Sequence, residues 1–206
     1  MAPAYKVTYF ELTGLGEPLR FLLSYGGFEF DDIRIPKEKW PAVKSSLPYG
    51  QLPILEYNGK IANQSLAICR YLAKQVKLVG KDDWEDLEID ATVDTINDLR
   101  LKIAFYFFET NEKIKLELAG PLYNETIPFY LEKLDAQVKK NNGYFVNGRL
   151  TWADIFFVAL DDYMSLLTKK DLTVNYPNLQ IVKERVLKVP RIKAWVDKRP
   201  RSKFFD

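Results

Sequence analysis

Residues 49–70, YGQLPILEYNGKIANQSLAICR, constrain the fold more than any other stretch of the chain. They read as turn, strand, hairpin, strand and helix in one unbroken run. In Leu52-Pro53 the proline removes a ladder donor and holds the residue before it extended, which admits a cis bond or an exposed strand edge. Asn58-Gly59 is a two-residue hairpin signal, because both central positions of that turn take positive φ. Gln64-Ser65 stand where a helical run begins. A helix N-terminus there presents unpaired backbone N–H groups and a Ser hydroxyl, which suit a carboxylate. A strand edge able to pair with extended backbone, beside a carboxylate-binding helix end, suits a small acidic peptide.

Composition removes several alternatives. With 30 basic and 28 acidic side chains the net charge is +2, which favours neither nucleic acid nor a strongly acidic partner. The longest apolar runs, such as Ile155–Leu160, fall far short of the ~20 residues of a membrane span. The opening MAPAYKVTYF lacks the apolar stretch of a signal peptide. The single cysteine cannot form an internal disulfide, so a cytoplasmic protein is expected. There is no histidine, which excludes histidine triads, histidine general bases and histidine-containing zinc sites. Cys69 lies inside a helical run and reads as a buried, inert thiol. No GxGxxG or GxxxxGK pattern is present, so nucleotide binding has no support. Proton chemistry then falls to Tyr, Asp, Glu, Lys or Arg, and twelve tyrosines make Tyr the type to examine.

The chain divides by its periodicity. Lys6–Phe10 reads as a strand with Tyr5, Val7 and Tyr9 on one face. Gly14 and Gly16 mark a turn, Glu17-Pro18 opens a helix and Gly26-Gly27 stops it. Phe28–Ile35 is a second strand, with Phe28, Phe30 and Ile33 available to a core. Residues 36–48 read as a loop holding Trp40 and Lys44. The order β-α-β, loop, β-β-α gives a four-stranded mixed sheet. Val76–Asp83 reads as a linker, after which strand signals nearly vanish. Trp84–Glu109 and Asn124–Lys140 are helical, with Pro128 a start or kink. Thr151 and Asp154 form a capping box, with Leu150 placed to staple against Ile155. Leu179–Val189 and Arg191–Lys198 complete an all-helical second half. The expected boundaries are 1–79 for the α/β domain and 80–206 for the all-α domain.

This order resembles the cytosolic glutathione transferases, with a thioredoxin-like β-α-β-β-β-α domain followed by an all-helical domain. The resemblance rests on Tyr9-Phe10 closing the first strand, Trp40 and Lys44, Gly50-Gln51-Leu52-Pro53, Gln64-Ser65 and Thr151-Trp152-Ala153-Asp154, and runs from about Tyr5 to about Lys203. YKVTYF, LPYGQLPILE, NQSLAICRYL, VDTINDL and LTWAD look most like the sigma class, which includes glutathione-dependent prostaglandin D synthases and many invertebrate transferases.

The resemblance implies glutathione as co-substrate and a role for each matching residue. Tyr9, otherwise a packed strand aromatic, is the hydroxyl that stabilises the glutathione thiolate. Ser65 and Gln64 bind the γ-glutamyl end. The Leu52 backbone, ahead of Pro53, pairs with the cysteinyl part, and the Gln51 main chain contributes beside it. Trp40 and Lys44 hold the glycyl carboxylate, and Phe10 is a further glutathione-binding residue. Asp98 reaches the glutathione of a partner subunit in a homodimer, and Tyr49 is either a surface turn aromatic or an insertion into that partner. Small hydrophobic electrophiles are expected where the two domains meet, against Thr13, Leu15, Phe105, Phe108, Tyr163 and Phe204.

Two departures bear on specificity. Sigma-class prostaglandin synthases carry three aspartates around a divalent ion between subunits, and here Asn97 stands between Asp94 and Asp98. Loss of a carboxylate weakens a hard-cation site, so no tightly bound metal is expected. Asp90, on the same face, reads as solvated. Vertebrate prostaglandin synthases have Arg at the position of Leu15, whose side chain cannot donate a hydrogen bond. The expectation is therefore conjugation of aryl halides and lipid-peroxidation aldehydes. Prostaglandin isomerisation and a non-catalytic carrier or crystallin-like role are the alternatives.

Overall fold

The computed structural model describes residues 4–202. They pack as two units. One holds the chain up to Leu78 together with the chain from Leu187 on, and the other holds Val79–Val186.

The first unit is built on a four-stranded sheet of order β2-β1-β3-β4, with β1 Tyr5–Phe10, β2 Phe30–Ile35, β3 Ile54–Tyr57 and β4 Lys60–Asn63. β1 runs parallel to β2 and antiparallel to β3, and β3–β4 is an antiparallel hairpin. Its turn has φ of 48° at Asn58 and 74° at Gly59, the double positive φ that Asn-Gly favours. Along β1 the side chains of Tyr5, Val7 and Tyr9 are all buried.

Between β1 and β2 runs α1, Glu17–Gly26. Pro18 sits in its first turn and Gly27 ends it in a left-handed conformation. Every residue from Glu17 to Ser24 is buried, two charged ones included, so α1 is a core helix rather than an amphipathic one. Its charges are answered at a distance. Trp195 Nε1 and Arg199 Nη1 each donate to Glu17 Oε1 at 2.7 Å. Trp195 belongs to the last helix, α9, Pro190–Lys198, and also rests against Phe30 at 5.2 Å between ring centroids. The sequence division placed residues 80–206 in one helical domain. The packing instead groups the chain from Leu187 on with the sheet, because Glu17, Ile192 and Trp195 are all buried in this unit.

The sheet corrects three expectations. In β2 the burial alternates so that Phe30, Asp32 and Arg34 are half-buried while Ile33 is exposed. Phe30 and Ile33 are an odd number of residues apart and cannot share a face. Residues 36–48 are not an open loop, since they hold a short helix, α2, Trp40–Lys44. β3 is an interior strand rather than an edge. Leu52 and Pro53, just ahead of its first ladder residue Ile54, lie outside the sheet pairing.

The chain re-enters helix as α3, Ser65–Gln75, which ends the β-β-α segment. The second unit begins beyond it and is all-helical. It comprises α4 Asp83–Phe108, α5 Glu112–Pro121, α6 Ile127–Lys140, α7 Trp152–Thr168 and α8 Pro177–Leu187, the last reaching the unit boundary. α4 starts at Asp82, whose carboxylate accepts from Glu85 N–H at 2.9 Å. Its buried stripe is Ile89, Val93, Ile96, Leu99 and Ile103. Sequence periodicity gave no sign of α5, and none of its residues is buried; the Asn111 side chain caps it instead. A π turn, Leu122–Thr126, joins α5 to α6, and Pro128 falls in the first turn of α6. α7 is the centre of this unit, with every residue from Trp152 to Asp161 buried. Its capping box forms as the sequence predicts. Asp154 Oδ2 accepts from Thr151 N–H at 2.7 Å, and Oδ1 accepts from Phe145 N–H at 2.9 Å. No helix among the described residues is long and apolar enough to cross a membrane.

Candidate active site

Tyr9 occupies the penultimate position of β1, in register with Arg34 of β2. The ring is 7% exposed. The following turn closes over it so tightly that a Cβ at Gly16 would come within 2.7 Å of the ring, and one at Gly14 within 2.8 Å of the hydroxyl. Gly14 also has φ of 41°, which favours glycine. The turn bends so that Leu15 N–H donates to Tyr9 Oη at 3.2 Å. Sequence reasoning weighed only the Leu15 side chain. The main chain at that position supplies a donor, and a backbone donor has no residue-type signature.

Apart from Asp98 on α4, the other candidate glutathione residues lie on neighbouring segments of the same unit. Phe10 meets Trp40 edge to face, with centroids 5.0 Å apart. Lys44 ends α2 and is exposed, and its aliphatic stem lies beside Gly50. Pro41, Lys44, Ser45, Leu47, Tyr49 and Gly50 line a shallow cavity of about 430 Å³. Leu52-Pro53 is cis. The exposed side chains of Gln51 and Gln64 meet, Gln64 Nε2 donating to Gln51 Oε1 at 3.5 Å.

Gln64 carries φ of 72° and ψ of 102°, a conformation that costs a non-glycine residue on the order of 1–3 kcal/mol and clusters at functional sites. It turns the chain so that buried Ser65 begins α3. The Gln64 side chain does not cap this helix end, and its first amides and Ser65 lie where the sequence leads one to expect a carboxylate.

Arg20, Glu17 and Asp32 escaped sequence reasoning. Arg20 is fully buried. Its Nη1 donates to Leu12 O and to Glu17 Oε2, each at 3.0 Å, and its Nε donates to Asp32 Oδ1 at 2.8 Å. Burial would raise the Glu17 carboxyl pKa, but the nearby Arg20 and Arg199 charges, with hydrogen bonds from Arg199 and Trp195, hold it below its ordinary value. Arg34 Nε completes the chain, donating to the other Asp32 oxygen at 2.7 Å. Only the Glu17–Arg20 spacing, one helical turn, could have hinted at this network.

Of the residues predicted for the electrophile, Thr13 is buried and Leu15 half-buried in the first unit. In the second, Phe105 and Phe108 are exposed at the end of α4, and Tyr163 is buried on α7. Phe204 lies outside the described residues. Asp94 and Asp98 are exposed on α4, while Asn97 Oδ1 accepts from Arg100 Nη2 at 2.8 Å. Among the described residues no group of three or more His, Cys, Asp or Glu is placed to hold a metal ion. Cys69 is fully buried, and burial pushes its thiol pKa up. An apolar cavity of about 480 Å³ lined by Leu55, Tyr57, Ile61, Ala67, Ile68 and Tyr71 among others includes none of the predicted site residues.

Comparison with known proteins gives the same picture at the level of the family. The glutathione S-transferase N-terminal domain model matches residues 5–74, and the C-terminal domain model matches residues 97–199. A glutathione S-transferase of Anopheles gambiae is 54% identical over 96% of this chain and 98% of its own length. Glutathione S-transferase S1 of Drosophila melanogaster is 48% identical over 96% of this chain and 79% of its own. Among solved structures, a prostaglandin synthase D of Nilaparvata lugens superimposes with a TM-score of 0.92 at 46% identity, covering 96% of this chain and 99% of that one. With both domain models matched and relatives of this identity along nearly the whole length, the chain belongs to the glutathione S-transferase family, an enzyme family that uses glutathione as co-substrate.

Proposed function

We propose that this protein is a sigma-class, cytoplasmic, homodimeric transferase that conjugates glutathione to small hydrophobic electrophiles. Aryl halides and the unsaturated aldehydes of lipid peroxidation are the substrate classes. The observation that carries the reading is the Leu15 N–H donating to Tyr9 Oη. Accepting a hydrogen bond polarises the phenol and strengthens it as a donor in turn. Glutathione is a weak nucleophile while its thiol is protonated, and the thiolate is the reactive form. Lowering that thiol's pKa by about two units takes about 2.7 kcal/mol, within reach of a charge-assisted hydrogen bond from Tyr9 in a partly dry site.

The remaining residues hold the tripeptide. Ser65 and the α3 N-terminus take the γ-glutamyl carboxylate, with Gln64 at the same end. The Leu52 backbone pairs with the cysteinyl portion beside Gln51 and Pro53. Trp40 and Lys44 take the glycyl carboxylate, and Asp98 serves the glutathione of the second subunit. In the transfer the sulfur–carbon bond forms after the thiol proton has gone to water. With an aryl halide the carbon–halogen bond breaks and halide leaves. With an unsaturated aldehyde the α-carbon takes a proton from water. Within the first unit, Thr13 and Leu15 contact the electrophile. Exposed Tyr49, Ile61 and Tyr71 support a second copy as the cover for the first unit's apolar surface.

The test is glutathione conjugation to a chromogenic aryl halide by wild type and Tyr9→Phe. Strong turnover, largely lost in the variant, is expected, and turnover unchanged in Tyr9→Phe refutes the mechanism. A wild type that binds glutathione without turnover points to a carrier or structural role. Prostaglandin isomerisation is the second reading, favoured by the Nilaparvata lugens likeness. The Leu15 side chain and the Asn97 oxygen already engaged by Arg100 count against it. Product analysis with a prostaglandin endoperoxide separates the two.

A further inference from the structure

We infer that Arg20 is a positioning residue for thiol activation, fixing through the Leu12 carbonyl the turn whose Leu15 N–H holds the Tyr9 hydroxyl. The inference rests on the Tyr9 reading and adds to it the device that keeps the hydroxyl in place.

The Arg20 bonds to Leu12 O and Glu17 are buried, and those from Arg20 to Asp32 and from Leu15 N–H to Tyr9 Oη are part-buried. The turn between β1 and α1 carries Leu12 N–H to Phe10 O at 2.8 Å, Glu17 N–H to Thr13 O at 3.0 Å and also to Gly14 O in a 3-10 turn over Gly14–Gly16, and Thr13 N–H to Ser202 Oγ at 3.3 Å. Its middle carries the Leu15 N–H that meets Tyr9 Oη, and two glycines make it intrinsically permissive. Arg20 adds a buried side-chain tie that joins the turn to α1 and to the sheet. Its side chain is fully buried, and its planar fork binds three groups at once: the Leu12 carbonyl of the turn, Glu17 one turn earlier on α1, and Asp32 on β2. Asp32 is in turn held by Arg34 Nε at 2.7 Å, so the fork is referenced to the sheet that also carries Tyr9. The guanidinium carbon lies 6.0 Å from the Tyr9 ring centroid. A salt bridge needed for stability alone would be satisfied by Glu17 and Asp32; the bond to Leu12 O engages the turn.

The fork, rather than the charge, performs this task. Lysine keeps the charge but is a point donor on a flexible stem, and it cannot reproduce a planar set of directions. Arg20→Lys therefore loosens the turn while leaving the buried positive charge present.

The readout is the apparent pKa of enzyme-bound glutathione, followed by the ultraviolet absorbance of its thiolate, together with the unfolding midpoint. Wild type, Tyr9→Phe, Arg20→Lys and Asp32→Asn are compared, with both substitutions repeated in the Tyr9→Phe background. Arg20→Lys is expected to raise the bound thiol's pKa by about one unit, a roughly ten-fold loss of thiolate stabilisation, with the KM for glutathione little changed. Asp32→Asn, which frees one arm of the fork, shifts it in the same direction by less. Neither substitution shifts it further once Tyr9 is Phe, because the path runs through the hydroxyl.

Lower stability with an unshifted thiol pKa would make Arg20 structural only and overturn the inference. An equal shift in the Tyr9→Phe background would overturn it too, since the charge would then act on the sulfur directly. If Arg20→Lys does not fold, Asp32→Asn decides by the same criteria. A thiol unshifted by Tyr9→Phe alone refutes the Tyr9 reading itself, which is a separate result.

Discussion

Gly16→Ala tests the close approach that shapes the candidate active site. Gly16 precedes α1 with φ of −78° and ψ of −26°, which alanine adopts without strain. On backbone grounds alone the substitution would stabilise the protein by about 0.4–1 kcal/mol through the unfolded chain. The contacts reverse the sign. The new Cβ would lie 2.7 Å from Tyr9 Cδ1 and Cγ and 2.8 Å from Tyr9 Cβ, against roughly 3.5–4.0 Å for comfortable carbon contacts. Neither side yields readily. α1 is buried from Glu17 to Ser24, and Tyr9 sits on a strand paired on both sides.

Overpacking of this kind costs about 1–3 kcal/mol, leaving a net loss of about 1–2 kcal/mol and a fall in Tm of roughly 2–8 °C. The ring must shift by a sizeable fraction of an ångström, so kcat/KM for aryl halide conjugation should fall on the order of 10- to 100-fold. Gly120→Ala is the matched control. Its Cβ meets nothing within 4 Å in α5, and it should gain about 0.5–1 kcal/mol with unchanged activity. If Gly16→Ala melts and turns over like wild type, Tyr9 does not pack against the turn as described.

Two further predictions concern the second unit. Asp154→Asn should cost about 1–3 kcal/mol at neutral pH, because Asn cannot accept from both the Thr151 and Phe145 amides as the carboxylate does. Burial pushes the Asp154 carboxyl up to about 6 against opposing hydrogen bonds, from an ordinary 3.8. The folded state therefore binds the proton more tightly, and this contribution to stability is full below 3.8 and lost as pH rises through about 6. The wild-type advantage over Asp154→Asn in denaturant melts should widen as pH falls from 7 toward 4; a narrowing gap would show that the folded pKa is depressed. Lys183→Met should cost about 3–5 kcal/mol by stranding buried Asp161, which Lys183 Nζ contacts at 2.6 Å. Adding Asp161→Leu should recover most of that loss, and a double variant as unstable as the single would contradict this account.

Much of the architecture was legible because it rests on local rules. Asn58-Gly59 forms the hairpin its residue types demand, Gly27 stops α1, and Thr151 and Asp154 start α7 as spaced. The α4 stripe is long enough to declare itself by period alone. α5 was not legible because it buries nothing and leaves no stripe. The exposure of Ile33 followed from β2 burying Asp32 and Arg34 on the inward face instead. At the site, the positions of Tyr9, Trp40, Lys44 and Gln64-Ser65 could be marked from residue types and spacing through the resemblance. Leu15 could not be assigned its part, because the group that acts is a main-chain N–H.

By itself the sequence determined the order of the strands and of most helices, several turns, the family to which the chain belongs and the absence of histidine and internal disulfide chemistry. Tertiary structure alone decided how buried charges are satisfied. Glu17 is answered by Trp195 from 178 residues away, and Arg20 joins helix, strand and turn through one planar group. It also decided that Gly16 must have no side chain and that the Tyr9 hydroxyl meets a backbone donor. Turns and caps are fixed by neighbours a few residues apart, and residue types report them. Burial, by contrast, forces each polar group to find a partner wherever the fold places one, and no sequence spacing encodes that distance.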